Sequence, residues 1–148
     1  MRRLHVALGQ AAWMANDPLE AERQFRLAVE ATREFPPEAL TEERDLAFDT
    51  SNWALALAHT GRLDEARPLA AKALAVERRV AAMKTEDQLH KASLSLALVA
   101  SAWANPSQAQ TLLAEAQASY NSLPAQARAA RTVRLVGTQI DEAKRRLR

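Results

Sequence analysis

The sequence contains no cysteine, three glycines and few aromatic side chains, which make up 5% of its 148 residues. Without cysteine the chain can form no disulfide and offers neither a thiol nucleophile nor a thiolate metal ligand. The isolated glycines exclude a glycine-rich phosphate-binding loop. No charge sign dominates, because 20 Lys and Arg stand against 18 Asp and Glu. A net charge this close to neutrality does not by itself indicate a nucleic-acid partner.

Long apolar runs are also missing. The most apolar stretch, residues 92–104, is interrupted by serines and is shorter than the roughly 20 residues that span a bilayer. The first residues carry two arginines and then polar side chains, which is not the pattern of a signal peptide. We therefore expect a soluble, cytoplasmic protein.

The sequence does contain one short motif that occurs three times. Residues 17–21, 62–66 and 105–109 align without gaps, and their last alanines are 45 and 43 residues apart. Each copy of the motif follows one apolar helical pattern and begins another. A repeat of this length, in a chain rich in alanine, leucine and arginine, indicates stacked helix pairs. No low-complexity linker interrupts the chain, so we predict a single domain over residues 1–148.

Seven helices are predicted from the apolar periodicity and its breaks. Their expected ranges are 2–15, 18–34, 38–60, 63–83, 86–104, 106–121 and 123–148. The first six form three repeats over residues 2–37, 38–84 and 86–121, and the seventh is a capping helix. Very short turns within each pair make the two helices antiparallel neighbours.

Three of the turns carry recognisable helix signals. Asp17 is expected to cap the second helix as part of a capping box with Glu20, and Asn105 is expected to repeat that geometry. The prolines at 36 and 37 are expected to stop the second helix. Gly61 is the expected left-handed cap that ends the third helix.

Small and large residues alternate in the same order in each pair. Small residues are expected to let helix backbones approach closely at six positions: Gly9, Ala21, Ala54, Ala66, Ala97 and Ala109. This pattern resembles the tetratricopeptide repeat, and residues 52–74 look like the longer repeats of kinesin light chains and their bacterial relatives. The resemblance implies an all-α fold, a right-handed superhelix of antiparallel helix pairs.

The same resemblance implies where a partner would bind. The first helices of such pairs line the concave face of the superhelix. The expected peptide-binding groove is formed by Gln10, Trp13, Phe48, Ser51, Asn52, Leu55, His59, Lys91, Leu94, Ser95 and Leu98. Asn52 matches an asparagine that bonds the backbone of a bound peptide in similar repeats; the alternative is a solvated side chain. The leucines have an alternative too, burial beneath the last helix.

No constellation of residues points to catalysis. The three histidines, His5, His59 and His90, lack metal-ligand spacing. Four carboxylate side chains lie near predicted helix starts, where a negative charge interacts favourably with the helix dipole: Glu20, Glu22, Asp64 and Glu65. We therefore predict that the protein is not an enzyme and holds neither a cofactor nor a metal.

The last predicted helix is strongly amphipathic. Its apolar face comprises Ala129, Val133, Val136, Ile140, Ala143 and Leu147. Its other faces carry Arg128, Arg131, Arg134, Lys144, Arg145, Arg146 and Arg148. The pattern is typical of a capping helix with a polar outer side. The alternative is a basic surface for an acidic partner or for nucleic acid.

The first helix has no polar segment ahead of it, so Val6, Trp13 and Met14 are expected to form an open apolar end. Either the chain is a piece of a larger protein, or it associates through that end. The overall expectation is a scaffold that binds a protein or peptide within a bacterial signalling or regulatory protein. The alternative is a regulatory domain that contacts nucleic acid or an acidic partner through its basic last helix.

Overall fold

The computed structural model describes residues 1–33, 37–83 and 88–147, and within these ranges it is all-helical. The described residues form eight α-helices: α1 (Arg2–Met14), α2 (Pro18–Ala31), α3 (Leu40–His59), α4 (Leu63–Ala82), α5 (Leu89–Ala104), α6 (Ala109–Asn121), α7 (Ala125–Arg128) and α8 (Arg131–Arg146). A 3-10 turn, Pro106–Gln108, precedes α6. The predicted all-α class is confirmed.

The helices stack as successive pairs. The pairs are α1 with α2, α3 with α4, and α5 with α6, and each pair packs on the one before it. The last long helix, α8, runs parallel to α5, because Val133 near its start clusters with Ala92 and Arg146 at its end lies over Trp103. It also faces Gln10 of α1 and Phe48 of α3.

The predicted small contact residues are all buried. They are Gly9, Ala21, Ala54, Ala66, Ala97 and Ala109. At Gly9 the contact is so close that an added Cβ would lie 2.8 Å from two atoms of the Phe25 ring. Helix backbones meet at these positions because no larger side chain separates them.

The predicted helix ends are partly confirmed at the first pair. The Asp17 carboxylate accepts a hydrogen bond from the Glu20 amide at 3.1 Å, as a capping residue should. The reciprocal half of the capping box is absent, because Glu20 instead accepts hydrogen bonds from Arg23 and Gln24. Burial of the Gln24 side chain draws Glu20 away from the backbone it was expected to reach.

Gly61 ends α3 as predicted, with a φ of 81°. The Arg62 amide donates to the Leu57 carbonyl at 2.9 Å, which completes a Schellman cap. The prediction for Asn105 is wrong. Its side chain donates to the Ser101 carbonyl at 3.1 Å and so closes the end of α5, and the next residues form the 3-10 turn.

The predicted seventh helix is two helices. The chain becomes extended at Ala130, with ψ of 138°, because Leu123 and Val133 both pack against Ala92 at the start of α5. Ala129 is therefore exposed and does not belong to the apolar face. The expected boundaries at 34, 36, 86 and 148 lie outside the described residues, and α3 begins two residues later than expected.

The exposed apolar residues of α1 are not all those that the sequence predicted. Val6 and Trp13 pack against a cluster formed by Ala12, Phe25 and neighbouring buried residues. Met14 is exposed, together with Leu4 and Leu8, which were not expected at this surface.

Candidate functional site

The predicted concave groove is filled by the chain itself. Ser51, Leu55, Ser95 and Leu98 have no exposed area, and Asn52 keeps 5%. The other predicted residues are half-buried: Gln10, Trp13, Phe48, His59, Lys91 and Leu94. Burial of Leu55 and Leu98 confirms the alternative that these leucines belong to the core, and Leu94 packs at its edge.

Four of the predicted groove residues do meet around one space. Gln10, Trp13, Phe48 and Asn52 face the side chains of α8 there. The space has a volume of about 10 Å³, which is near the minimum that holds one water molecule. With α8 in place, it has no room for a peptide chain.

The polar groups expected to face a peptide are used within the helices. The Asn52 side-chain amide donates to the Phe48 carbonyl at 3.3 Å, so Asn52 is neither solvated nor offered to a partner. The Ser51 hydroxyl donates to the Ala47 carbonyl at 2.9 Å, and the Ser95 hydroxyl is likewise bonded to backbone carbonyls. Such bonds within one helix satisfy hydroxyl and amide groups in a buried surface.

An aromatic cluster lies where α1, α3 and α5 end. The His59 ring contacts Trp13 at 5.1 Å and Trp103 at 4.2 Å between ring centroids. The Arg146 guanidinium lies 5.7 Å from the Trp103 ring centroid. Burial, with the Arg146 charge nearby, lowers the pKa of His59 to about 4. The sequence did not predict Trp103 at this site and indicated Arg146 as part of the basic surface of the last helix, although Trp13, His59 and Trp103 each fall at the end of a first helix.

Two buried carboxyl groups were also missed. Asp49 accepts a hydrogen bond from Arg2 at 2.7 Å, yet burial outweighs that cation and raises the pKa of Asp49 to about 6. Glu77 is fully buried, neither of its carboxylate oxygens has a hydrogen-bond partner among the described residues, and burial raises its pKa to about 8. Hydrophobic patterning gives no signal for either one. Among the described residues, no group of three or more potential ligands could hold a metal ion.

An open groove lies between α6 and α8. Its volume is about 780 Å³, and it is lined by Gln110, Leu113, Ala114, Gln117, Ala118, Asn121, Lys144 and Leu147. The six α6 residues recur at steps of three and four, which places them on one side of the helix. Alanines form the exposed floor and amides with one lysine form the rim. A smaller cleft of about 160 Å³ lies between α3 and α4, where Arg79 and Glu43 form an ion pair.

No prediction from the sequence indicated this groove. Because α8 packs mainly along α5, it leaves Ala114 and Ala118 exposed.

Four basic side chains of α8 contact neighbours. Arg145 and Arg146 both pair with Glu142, and Arg131 reaches the Met14 sulfur at 3.2 Å. Lys144 donates to Gln117 on α6. Arg134 is exposed, and Arg148 lies outside the described residues. Glu142 offsets part of the positive charge at the end of α8, and the alternative of a basic surface for nucleic acid or an acidic partner stays a prediction.

Within the described residues, no helix is both long enough and apolar enough to cross a membrane. No family model matches the sequence, and no curated protein or solved structure matches it either. The grooves and exposed faces of the molecule are therefore the basis for a proposed function.

Proposed function

We propose that the protein is a tetratricopeptide-type scaffold that binds another protein by accepting one of its helices into the groove between α6 and α8. The observation that carries the proposal is the groove of about 780 Å³ whose floor is formed by the exposed Ala114 and Ala118. By the resemblance of its repeats, the scaffold belongs to a bacterial signalling or regulatory protein.

The floor of the groove suits a helix. Ala114 and Ala118 lie one turn apart and have no side chain beyond Cβ, so a second helix backbone can approach closely. Leu113 and Leu147 supply apolar area at one end of the groove. Helix-in-groove recognition uses this combination of an apolar strip with polar edges.

The rim of the groove defines the polar edge of the partner helix. Gln110, Gln117 and Asn121 offer side-chain amides that can both donate and accept hydrogen bonds. Lys144 is the only charged side chain that lines the groove among the described residues. The partner helix is therefore expected to carry a carboxylate on the side that faces α8.

A matched pair of substitutions tests the proposal. Ala118→Arg fills the groove, whereas Thr111→Arg adds the same side chain to an exposed position on another side of α6. We expect Ala118→Arg to weaken binding of a partner captured by the wild-type chain at least about tenfold, which corresponds to about 1.4 kcal/mol. Thr111→Arg is expected to bind as the wild type does.

Isothermal calorimetry with the purified partner gives the affinities, and circular dichroism confirms that both variants keep their helices. Wild-type affinity in Ala118→Arg would contradict the proposal. Loss of binding in both variants would also contradict it, because the effect would then not be specific to the groove.

A further inference from the structure

The outer face of α1 is an exposed apolar stripe. Its members are Leu4, Ala7, Leu8, Ala11, Met14 and Ala15, and all of them are exposed. Leu4 keeps 52%, Leu8 42% and Met14 61% of their surface in solvent. They recur at steps of three and four, so they form one continuous stripe along the helix. A contiguous apolar surface of this kind marks an interaction site.

The internal repeats show what these positions do elsewhere in the molecule. In repeat register, Leu8 and Ala11 of α1 correspond to Trp53 and Ala56 of α3. The Trp53 indole donates to Glu22 of α2 at 3.0 Å, and Ala56 belongs to the buried cluster between α2 and α3. The same positions in α5 are fully buried or nearly so. The stripe on α1 is thus the face that receives a neighbouring helix in the other pairs.

The stripe is complementary to itself. If two copies of α1 cross antiparallel about a twofold axis near the middle of the helix, Leu4 faces Ala15 and Leu8 faces Ala11, each contact occurring twice. Large side chains then oppose small ones at both of these contacts, which favours close helix packing.

Charge selects the antiparallel arrangement. The α1 sequence contains no carboxylate, and Arg3 near its start is exposed. In an antiparallel pair, Arg3 lies beside the C-terminal carbonyls of the opposite helix and the Asp17 that follows them, where a cation is favoured. A parallel pair would instead bring the two copies of Arg3 together.

We propose that α1 is a homodimerisation surface, on which a second copy of this chain pairs antiparallel about a twofold axis. The interface is isologous, so it closes at two copies and does not propagate. Its residues are different from those that line the α6–α8 groove. The proposal therefore does not depend on the function proposed for that groove.

The test is the mass in solution, measured by light scattering coupled to gel filtration from micromolar to hundreds of micromolar protein. The wild type is expected to reach twice the chain mass of 16.3 kDa. Leu8→Glu is expected to remain at the chain mass, because the twofold axis places two carboxylates in an apolar contact. Leu89→Glu is the matched control, since Leu89 is 46% exposed on α5, and it should dimerise as the wild type does.

A charge-swap experiment separates pairing from misfolding. One chain carries Leu8→Glu with Ala11→Glu, and another carries Leu8→Lys with Ala11→Lys. Each alone should be a monomer, and an equal mixture should give a one-to-one heterodimer. A wild-type chain that stays at 16.3 kDa over the whole range would overturn the proposal. So would a Leu8→Glu chain that dimerises, or a mixture that stays monomeric.

Discussion

The first and last long helices, α1 and α8, each keep one side in solvent, and the two exposed sides differ in chemistry. On α8 that side carries Arg134, Thr138, Asp141 and Arg145, whereas on α1 it carries leucines and alanines. A helix face that remains in water is ordinarily polar. The outer side of α8 therefore suits water, whereas the outer side of α1 carries the apolar area on which the proposed dimer depends.

The largest expected effect tests how firmly α1 is held. Gly9→Ala would place a Cβ 2.8 Å from the ring of Phe25, which is fully buried and has no space to move into. We expect the free energy of unfolding to fall by about 3 kcal/mol, the upper part of the usual range for overpacking. Urea denaturation followed by circular dichroism measures it. Unchanged stability would mean that α1 is not fixed against α2.

The next effect is the pH dependence of stability that two groups of shifted pKa cause, Asp49 near α1 and His59 near α8. The folded pKa of Asp49, which binds Arg2 of α1, is raised to about 6, so its contribution to stability is fully present below its unfolded value and is lost as pH rises through 6. The folded pKa of His59, beneath Arg146 of α8, is lowered to about 4. Its contribution is fully present above the unfolded value and is lost as pH falls through 4.

Lowering the pH from 6.5 to 4 should therefore favour folding through Asp49 and oppose it through His59, each by about 2 kcal/mol. Glu77, whose pKa is also raised, favours folding over the same range, and His59 contacts Trp13 of α1 as well, so the contributions are separated by substitution. Urea denaturation at both pH values measures them. Relative to the wild type, acidification should stabilise Asp49→Asn less and His59→Gln more; the same pH dependence in all three chains would contradict the assignment.

A glycine on α8 gives the counterpart of the Gly9 experiment. At Gly137 an added Cβ would lie 2.6 Å from the hydroxyl oxygen of Tyr120. Because Tyr120 is half-buried and meets the Cβ with the end of its side chain, the ring can turn outward. We expect Gly137→Ala to cost about 1.5 kcal/mol, less than Gly9→Ala. Adding Tyr120→Leu should recover most of the lost free energy of unfolding. If it recovers none, the strain in Gly137→Ala does not come from the contact with Tyr120.

The smallest effect provides a reference away from both ends. Gly61 has a φ of 81° and no atom within 4 Å of an added Cβ. Gly61→Ala should therefore cost about 1 kcal/mol through backbone strain alone. The loss should be independent of pH and leave the solution mass unchanged. A loss as large as that of Gly9→Ala would show that backbone conformation, and not packing, dominates these glycines.

Local signals allowed much of the fold to be predicted. The repeated motif and the periodic alanines predicted the positions of the helix pairs, since close packing requires small residues at fixed spacing. The cap at Gly61 was predictable because a left-handed residue after an apolar run favours glycine. The break at Ala130 was not, because it depends on where Leu123 and Val133 find partners on α5.

The surfaces were harder to predict than the helices. Whether the concave face is open depends on how far α8 comes toward α1 and α3, and repeat spacing does not fix that distance. Ala114 and Ala118 have the pattern of buried contact residues, and only the position of α8 leaves them exposed. Asp49 and Glu77 have the spacing of ordinary surface carboxylates, so their burial follows from tertiary packing alone.

The account places partner binding outside the concave face, and site-specific photocross-linking tests this directly. A benzophenone amino acid replaces Ala118 in the α6–α8 groove or, in a separate chain, Leu94 on the concave side of α5. Each chain is then irradiated with the bound partner. We expect the cross-link to form from position 118 and not from position 94. A cross-link from position 94 alone would return the binding site to the concave face and contradict the account.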